Sequence, residues 1–159
     1  MTMHPDSQGR SDAPSPKLTL DMFSGLEPQL KEALAIRMRV FVEEQGVAPA
    51  LEIDDDAAVA WHVLARLDGA PVGTARLVML DQLRAKIGRV AVLPEHRGKG
   101  IASQLVKLLM EYARREGRTQ AILDSQLPVM PLYEKLGFTA VGEVFLDADI
   151  LHRRMIRKL

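Results

Sequence analysis

Between Val90 and Ala102 the chain reads Val-Ala-Val-Leu-Pro-Glu-His-Arg-Gly-Lys-Gly-Ile-Ala, an order of residue types that can hold an anion. Val90, Ala91 and Val92 are apolar, as in a buried strand, and Pro94 ends that strand. Ile101, Leu105, Leu108, Leu109 and Tyr112 then recur at helical spacing. A turn containing Gly98 and Gly100 that feeds a helix N-terminus offers free backbone N–H groups at the positive end of the helix dipole. The two glycines let the backbone approach a ligand closely, and Arg97 and Lys99 add positive charge. This is chemistry for a phosphate or pyrophosphate. Two familiar phosphate loops are excluded. Gly98-Lys99-Gly100 lacks the spacing and hydroxyl of G-x-x-x-x-G-K-[ST], and Ser103 stands where G-x-G-x-x-G needs its third glycine. Taken alone, the turn is equally an ordinary strand–helix connection with two solvated cations.

Other reactive side chains are more scattered. The segment Glu52-Ile53-Asp54-Asp55-Asp56 is by itself a solvated acidic loop. Together with Glu43 and Glu44 it also suits a cationic ligand. His62 and His152 are single histidines, a type more often structural than functional. Asp124 and Ser125 close an apolar run and either face a pocket or cap the next helix. No pair of histidines or carboxylates has metal-ligand spacing, so no metal site is expected.

The elements that must position these residues follow from patterning. At 159 residues, 47% hydrophobic and 26% charged, the chain is the size of one soluble domain. Lys+Arg and Asp+Glu both number 21, which gives no sign of a nucleic-acid or membrane partner. There is no cysteine, so disulfides and thiol chemistry are excluded, in keeping with a cytoplasmic setting. No apolar run reaches the ~20 residues that span a bilayer, and Met1 to Pro16 lacks the layout of a signal peptide. Residues 1–16 are expected to be a flexible tail and 17–159 a single domain.

Leu18 to Leu20 suggests a first strand. From Glu27 a helical stripe carries Leu30, Leu34, Arg37/Met38 and Phe41, stopped by Gly46. Trp61 to Arg66, the turn Asp68-Gly69, Val72 to Leu80, and Ala85 to Val92 predict an antiparallel meander. A helix from Gly98 to about Glu116 follows, then a strand over Gln120–Asp124 that the crossover rule makes parallel to Ala85–Val92. Strands of this kind can splay at their C-terminal ends, where α/β sheets bind ligands. A helix over Pro128–Leu136 and strands over Phe138–Val144 and Leu151–Lys158 complete the chain.

Three features combine: Arg97-x-x-Gly100-x-Ala102, Tyr133-Glu134-Lys135-Leu136-Gly137-Phe138, and the order meander, helix, strand, helix, strand around them. Together they resemble the GNAT superfamily of N-acetyltransferases. A narrower likeness, to its ElaA-type branch, rests on Arg37-x-x-Val40-Phe41-Val42-x-Glu44-Gln45, Ile53-Asp54-x-Asp56, His62, and Ile150-x-His152-x-x-Met155. The branch's D-G-I-P-H is Ala148-Asp149-Ile150-Leu151-His152 here, so a different local turn is expected. The superfamily's Asn before the Tyr is Gln126.

The resemblance implies an α/β fold with a mixed central sheet, an N-terminal antiparallel meander, two parallel splayed central strands and helices on both faces. It implies acetyl-CoA as donor, with Arg97, Gly98, Lys99, Gly100, Ile101 and Ala102 at the pyrophosphate, Val90, Ala91 and Val92 along the pantetheine arm, and Gln126 and Tyr133 nearby. The implied reaction is direct transfer to a primary amine of a small molecule, protein or peptide, with Tyr133 as general acid and Glu44 as the first choice of base, Asp54, His62 and His152 being the other candidates for that role. Glu44, Asp54, His62 and His152 are the expected acceptor-side residues. A non-catalytic acyl-CoA sensor on the same fold stays open at this point, as do monomer and homodimer.

Overall fold

The computed structural model describes residues 15–52 and 54–159; residues 1–14, which hold most of the expected tail, and Ile53 lie outside the described residues. Strands β1 (Leu18–Ser24), β2 (Trp61–Leu67), β3 (Ala70–Met79) and β4 (Arg84–Val92) form the antiparallel meander. Strand β5 (Gln120–Gln126) joins β4 in parallel, while β6 (Thr139–Asp147) and β7 (Ile150–Lys158) form a hairpin. The sheet order is β1-β2-β3-β4-β5-β7-β6, so the last strand slots in beside β5. Asp68 and Gly69, at φ 50° and 85°, supply the two left-handed positions that the β2–β3 turn requires. The first strand runs past Leu20 because β2 pairs with it over its whole length.

Helices cover both faces. Helix α1 (Leu30–Arg37) leads into a π-helical segment, Met38–Glu44, and a short α2 (Pro49–Glu52) follows. Helices α3 (Ile101–Arg115) and α4 (Met130–Lys135) lie on the other side of the chain's midpoint. Alternation in β2 shows the two layers. Val63 and Ala65 join the core under α3 with Leu105 and Leu109, whereas Leu64 joins Leu30, Ala33 and Ile36 under α1. The absence of a Cβ at Gly73 lets α3 sit close: one built there would lie 3.2 Å from Ile101 and 3.3 Å from Leu105.

The N-terminal helical region differs from its expected form. It begins at Leu30, and its buried residues are Leu30, Ala33, Ile36, Arg37 and Val40, with Leu34 and Phe41 only partly covered. The reason is a widened turn: the Gln45 N–H bonds to the Val40 carbonyl five residues back, at 3.1 Å. Widening turns Phe41 and Gln45 off the α-helical stripe, toward the gap between β4 and β5. Gly46, at φ 74°, ends the segment.

Candidate active site

Strands β4 and β5 pair only at Arg84–Gln120, Ala85–Ala121 and Lys86–Ile122, although they continue to Val92 and Gln126. Beyond Lys86 they diverge, and a cavity of about 580 Å³ opens between them. A β-bulge shapes its β4 side. Thr74 faces Ala91 and Arg76 faces Gly88, which leaves both Arg89 and Val90 opposite Ala75. Arg89 takes φ 50°, uncommon for a residue with a Cβ, and the bulge frees ladder groups beside the cavity. Val90 and Val92 line it; Ala91 instead packs into the α1-side core.

At the end of β4 the chain passes a 3₁₀ turn, Pro94–His96, and enters the Gly98-Lys99-Gly100 turn. Both glycines sit at φ 78°, and a Cβ on either would meet nothing within 4 Å. No side chain caps the N-terminus of α3, so its first N–H groups stay unclaimed beside Gly98, Gly100, Ile101 and Ala102, all of which line the cavity. This open cradle fits an anion at a helix N-terminus. Arg97 lines the cavity as well, but its guanidinium is engaged. Nε donates to the Val92 carbonyl at 3.0 Å, and Nη1 and Nη2 donate to the two Glu44 oxygens at 2.7 Å each. The Lys99 ammonium turns off the cavity wall, 3.4 Å from Nδ1 of His96.

Tyr133 lines the same cavity from the α3 side. Its motif has a local physical cause. The Phe138 N–H bonds to the Tyr133 carbonyl and the Gly137 N–H to the Glu134 carbonyl, both at 3.0 Å, with Gly137 at φ 90°. That is a Schellman cap, which needs glycine in the left-handed position and an apolar contact across it. The Tyr133–Phe138 edge contact, with centroids 6.0 Å apart, is that contact. Tyr-x-x-x-Gly-Phe therefore fixes the ring's position. Burial pushes the Tyr133 phenol up to about 12, so it is neutral at physiological pH.

The remaining predicted residues divide. His152 and Gln126 line the cavity, and Gln126 donates its amide to the Gln45 side chain at 2.8 Å, linking sheet and wall. Glu44, Asp54 and His62 are not brought to it. Glu44 is clamped by Arg97, whose hydrogen bonds hold its carboxyl below the usual range and weaken it as a base. Asp54 is gripped by Arg76 through two 2.7 Å bonds and by Arg89 at 3.2 Å, and the Arg76 bonds lower its pKa. His62 is buried under α1, stacked on Phe23, with Nε2 3.0 Å from the Ala57 carbonyl; burial lowers its pKa. Asp124 caps no helix. It pairs with Arg154 and Lys86 at the fork of the splay.

Comparison with known proteins bears on what this geometry belongs to. Residues 28–138 match the family model described as Acetyltransferase (GNAT) family. The chain belongs to the GNAT family of acetyltransferases. It is thus an acyltransferase. An uncharacterized N-acetyltransferase of Bacillus subtilis, YjcF, is 36% identical over 132 residues, covering 82% of this chain and 94% of that protein. A solved acyl-CoA N-acyltransferase from Pseudomonas aeruginosa superposes with TM-score 0.78 at 30% identity, covering 89% of this chain and 99% of that one. Escherichia coli ElaA superposes with TM-score 0.79 at 28% identity, with the same coverage.

Within this GNAT domain one arrangement has no counterpart in the sequence-based expectations. The acidic segment is not a free anionic face. Glu52 is buried against the Arg37 guanidinium, Arg89 donates to the Glu52 carbonyl at 3.1 Å, and Asp54 bridges Arg76 and Arg89. Three arginines from α1, β3 and the β4 bulge thereby rivet α2 to the sheet. Two more bidentate pairs, Arg39–Glu95 and Glu44–Arg97, strap the π-helical wall to the cradle. Acids that looked like a cation site are largely spent on arginines. The only hint in the sequence was an Arg on every neighbouring element.

Proposed function

We propose that this GNAT enzyme moves an acetyl group from acetyl-CoA to a primary amine by direct attack, with Tyr133 supplying the proton to the departing sulfur. The observation that carries this is the alignment in one cavity of an open N–H cradle, a bulged and splayed strand pair, and a buried phenol. The N–H groups from Arg97 to Ala102 hold the pyrophosphate, and the freed main-chain groups around Val90 take the arm as an added strand would. Bound acetyl-CoA supplies the activated acetyl thioester. A backbone N–H of the bulge then faces its carbonyl oxygen, where negative charge develops. The name of the Pseudomonas relative is in keeping with an acyl-CoA donor. A chain without cysteine suits a cytoplasmic setting, and no helix among the described residues is long and apolar enough to cross a membrane.

Tyr133 does not act as a simple acid. A phenol at about 12 is weaker than a thiol near ~8.5, so giving its proton to sulfur alone is uphill. The transfer becomes favourable when the phenol oxygen also receives a proton from the attacking nitrogen, which turns strongly acidic once the new C–N bond forms. Tyr133 then relays one proton from nitrogen to sulfur and ends unchanged. The acceptor amine must arrive neutral for this to begin, because alkyl ammonium groups titrate near ~10.

The test is Tyr133→Phe, which keeps the ring contact with Phe138. We expect kcat to fall by about 100-fold or more while acetyl-CoA affinity is kept. An unchanged kcat overturns the relay. Absence of thiol release by the wild-type enzyme against a panel containing spermidine, glucosamine and lysine amides overturns the amine acceptor.

A further inference from the structure

Alternation along β7 places His152 on the sheet face opposite α3. Met155 lies in the α3-side core with its register partner Leu123, whereas His152 pairs with Gln126, whose amide reaches the wall at Gln45. Tyr133 belongs to the α3-side core. The two residues therefore line one cavity from opposite faces of the gap.

The imidazole is oriented and its tautomer is set. Nδ1 lies 2.7 Å from the Ile150 carbonyl oxygen. A carbonyl only accepts, so Nδ1 carries a hydrogen, and in the neutral ring Nε2 keeps its lone pair. Phe145 stacks on the ring at 5.9 Å and 25°, holding its plane. His62 uses its Nε2 on the Ala57 carbonyl and stands off the cavity, so the same residue type is spent there on structure.

We propose that His152 is the general base of this enzyme, taking a proton through Nε2 from a primary ammonium acceptor that enters on the α1 side of the gap. The proposal rests on the amine-acetylation reading above. One N–H bond of the ammonium breaks and its proton joins Nε2. The neutral amine attacks the acetyl carbon, the C–N bond forms and the C–S bond breaks. A second nitrogen proton passes through Tyr133 to sulfur, and the imidazolium returns the first to solvent. One proton is released per turnover, as amide formation from an ammonium requires. By register, Arg154 on its own strand, Asp124 on β5, bound by Arg154 and Lys86, and Asp147 on β6 share the sheet face of His152, and Glu52, Lys86, Arg89 and Arg97 line the cavity with it; the 3₁₀ turn Leu127–Val129 brings no charge.

The experiment compares ethylamine with 2,2,2-trifluoroethylamine, which has a similar shape but is already neutral at pH 7, in the wild type and in His152→Asn. Asn keeps a donor for the Ile150 carbonyl and removes the base. We expect kcat/KM for ethylamine to drop by about 100-fold or more. The loss for trifluoroethylamine is at least ten-fold smaller than that for ethylamine, and acetyl-CoA affinity stays within a few-fold. His152→Gln serves if the Asn variant fails to fold. A second readout needs no activity: ¹⁵N NMR of histidine-labelled wild-type protein should show Nδ1 protonated and Nε2 bare at His152. Equal losses for both amines, no loss, or a bare Nδ1 each overturn the base. Wild-type protein that acetylates neither amine overturns the amine reading itself, and the base with it.

Discussion

On the cradle side of the gap the cavity surface is mostly main chain, at Gly98, Gly100 and the Arg89–Val90 bulge; on the α1 side the wall is held in place by side chains pinned in ion pairs. The first surface needs residues that give the backbone freedom, and it stays open because nothing occupies the space where a Cβ would stand at either glycine. The second needs partners on distant elements: Glu52, on the cavity wall, pairs with Arg37, and Asp54 and Glu44, behind that wall, pair with Arg76 and Arg97. A main-chain surface recognises what all donors of one class share. A side-chain surface can vary its outline without disturbing the first. In the proposed reading, donor binding falls to the first face and acceptor selection to the second.

The largest expected effect comes from breaking the pinned side. Arg37 and Glu52 are both buried, and removing one partner leaves an uncompensated charge. Arg37→Met is expected to cost about 3–5 kcal/mol in urea unfolding. The double variant Arg37→Met/Glu52→Leu should recover most of this, because a buried pair exchanged for apolar groups is close to neutral. The pair already leaves Arg37 Nη1 and Glu52 Oε2 without a partner among the described residues, which makes the exchange more favourable. The double variant should raise the amine KM while leaving acetyl-CoA affinity near wild type. A matching loss of acetyl-CoA affinity would show that the two faces are not separable.

Breaking the main-chain side is expected to do the reverse. Gly100→Glu forces a side chain into a backbone at φ 78°, at about 1–2 kcal/mol, which a domain of ordinary stability survives. It also sets a carboxylate where an anion should sit. Losing two charge-assisted bonds to the pyrophosphate lowers acetyl-CoA affinity by about 100-fold or more, read by calorimetry. Gly100→Ala is the control, since it carries the strain without the charge. Equal affinity in the wild type and the Glu variant would remove the cradle from the donor site.

The same contrast explains what the sequence made legible. Gly98, Gly100, Pro94 and Gly137 are punctuation whose effect is local, so the cradle and the Tyr133 cap could be placed on strand, turn and helix. The β2–β3 turn was legible at Asp68-Gly69 for the same reason. Arg89 was not, because a left-handed arginine in a strand is imposed by the partner strand and by the carbonyls of Leu51 and Glu52 that hold its side chain. Glu44 and Asp54 were read as free because an ion pair to Arg97 or Arg76 depends on tertiary closure. The π-helical widening likewise moved Phe41 off the stripe that a period of 3.6 predicts. His152 and Gln126 share the cavity only because β7 inserts beside β5, a topology that patterning does not specify.

The smallest expected effect lies at the β6–β7 turn, where the two faces meet the cavity mouth. Asp147 pairs with Ile150 across a two-residue turn in which Ala148 and Asp149 take φ 48° and 63°. The left-handed region disfavours a Cβ, and alanine has no polar group with which to compensate. Ala148→Gly removes that penalty but makes the unfolded chain freer by a similar amount, so little net change is expected. Ala148→Asn tolerates the left-handed backbone without adding that freedom, and should stabilise by about 0.5–1 kcal/mol. Urea midpoints of the two variants separate the terms: Asn above Gly supports strain at position 148, and Asn below wild type refutes it. Ala148 lines the cavity beside Asp147, on the acceptor side. The Asn variant should therefore shift the amine KM by a few-fold and leave the acetyl-CoA KM unmoved, the weakest perturbation at which the division between the two faces can still be seen.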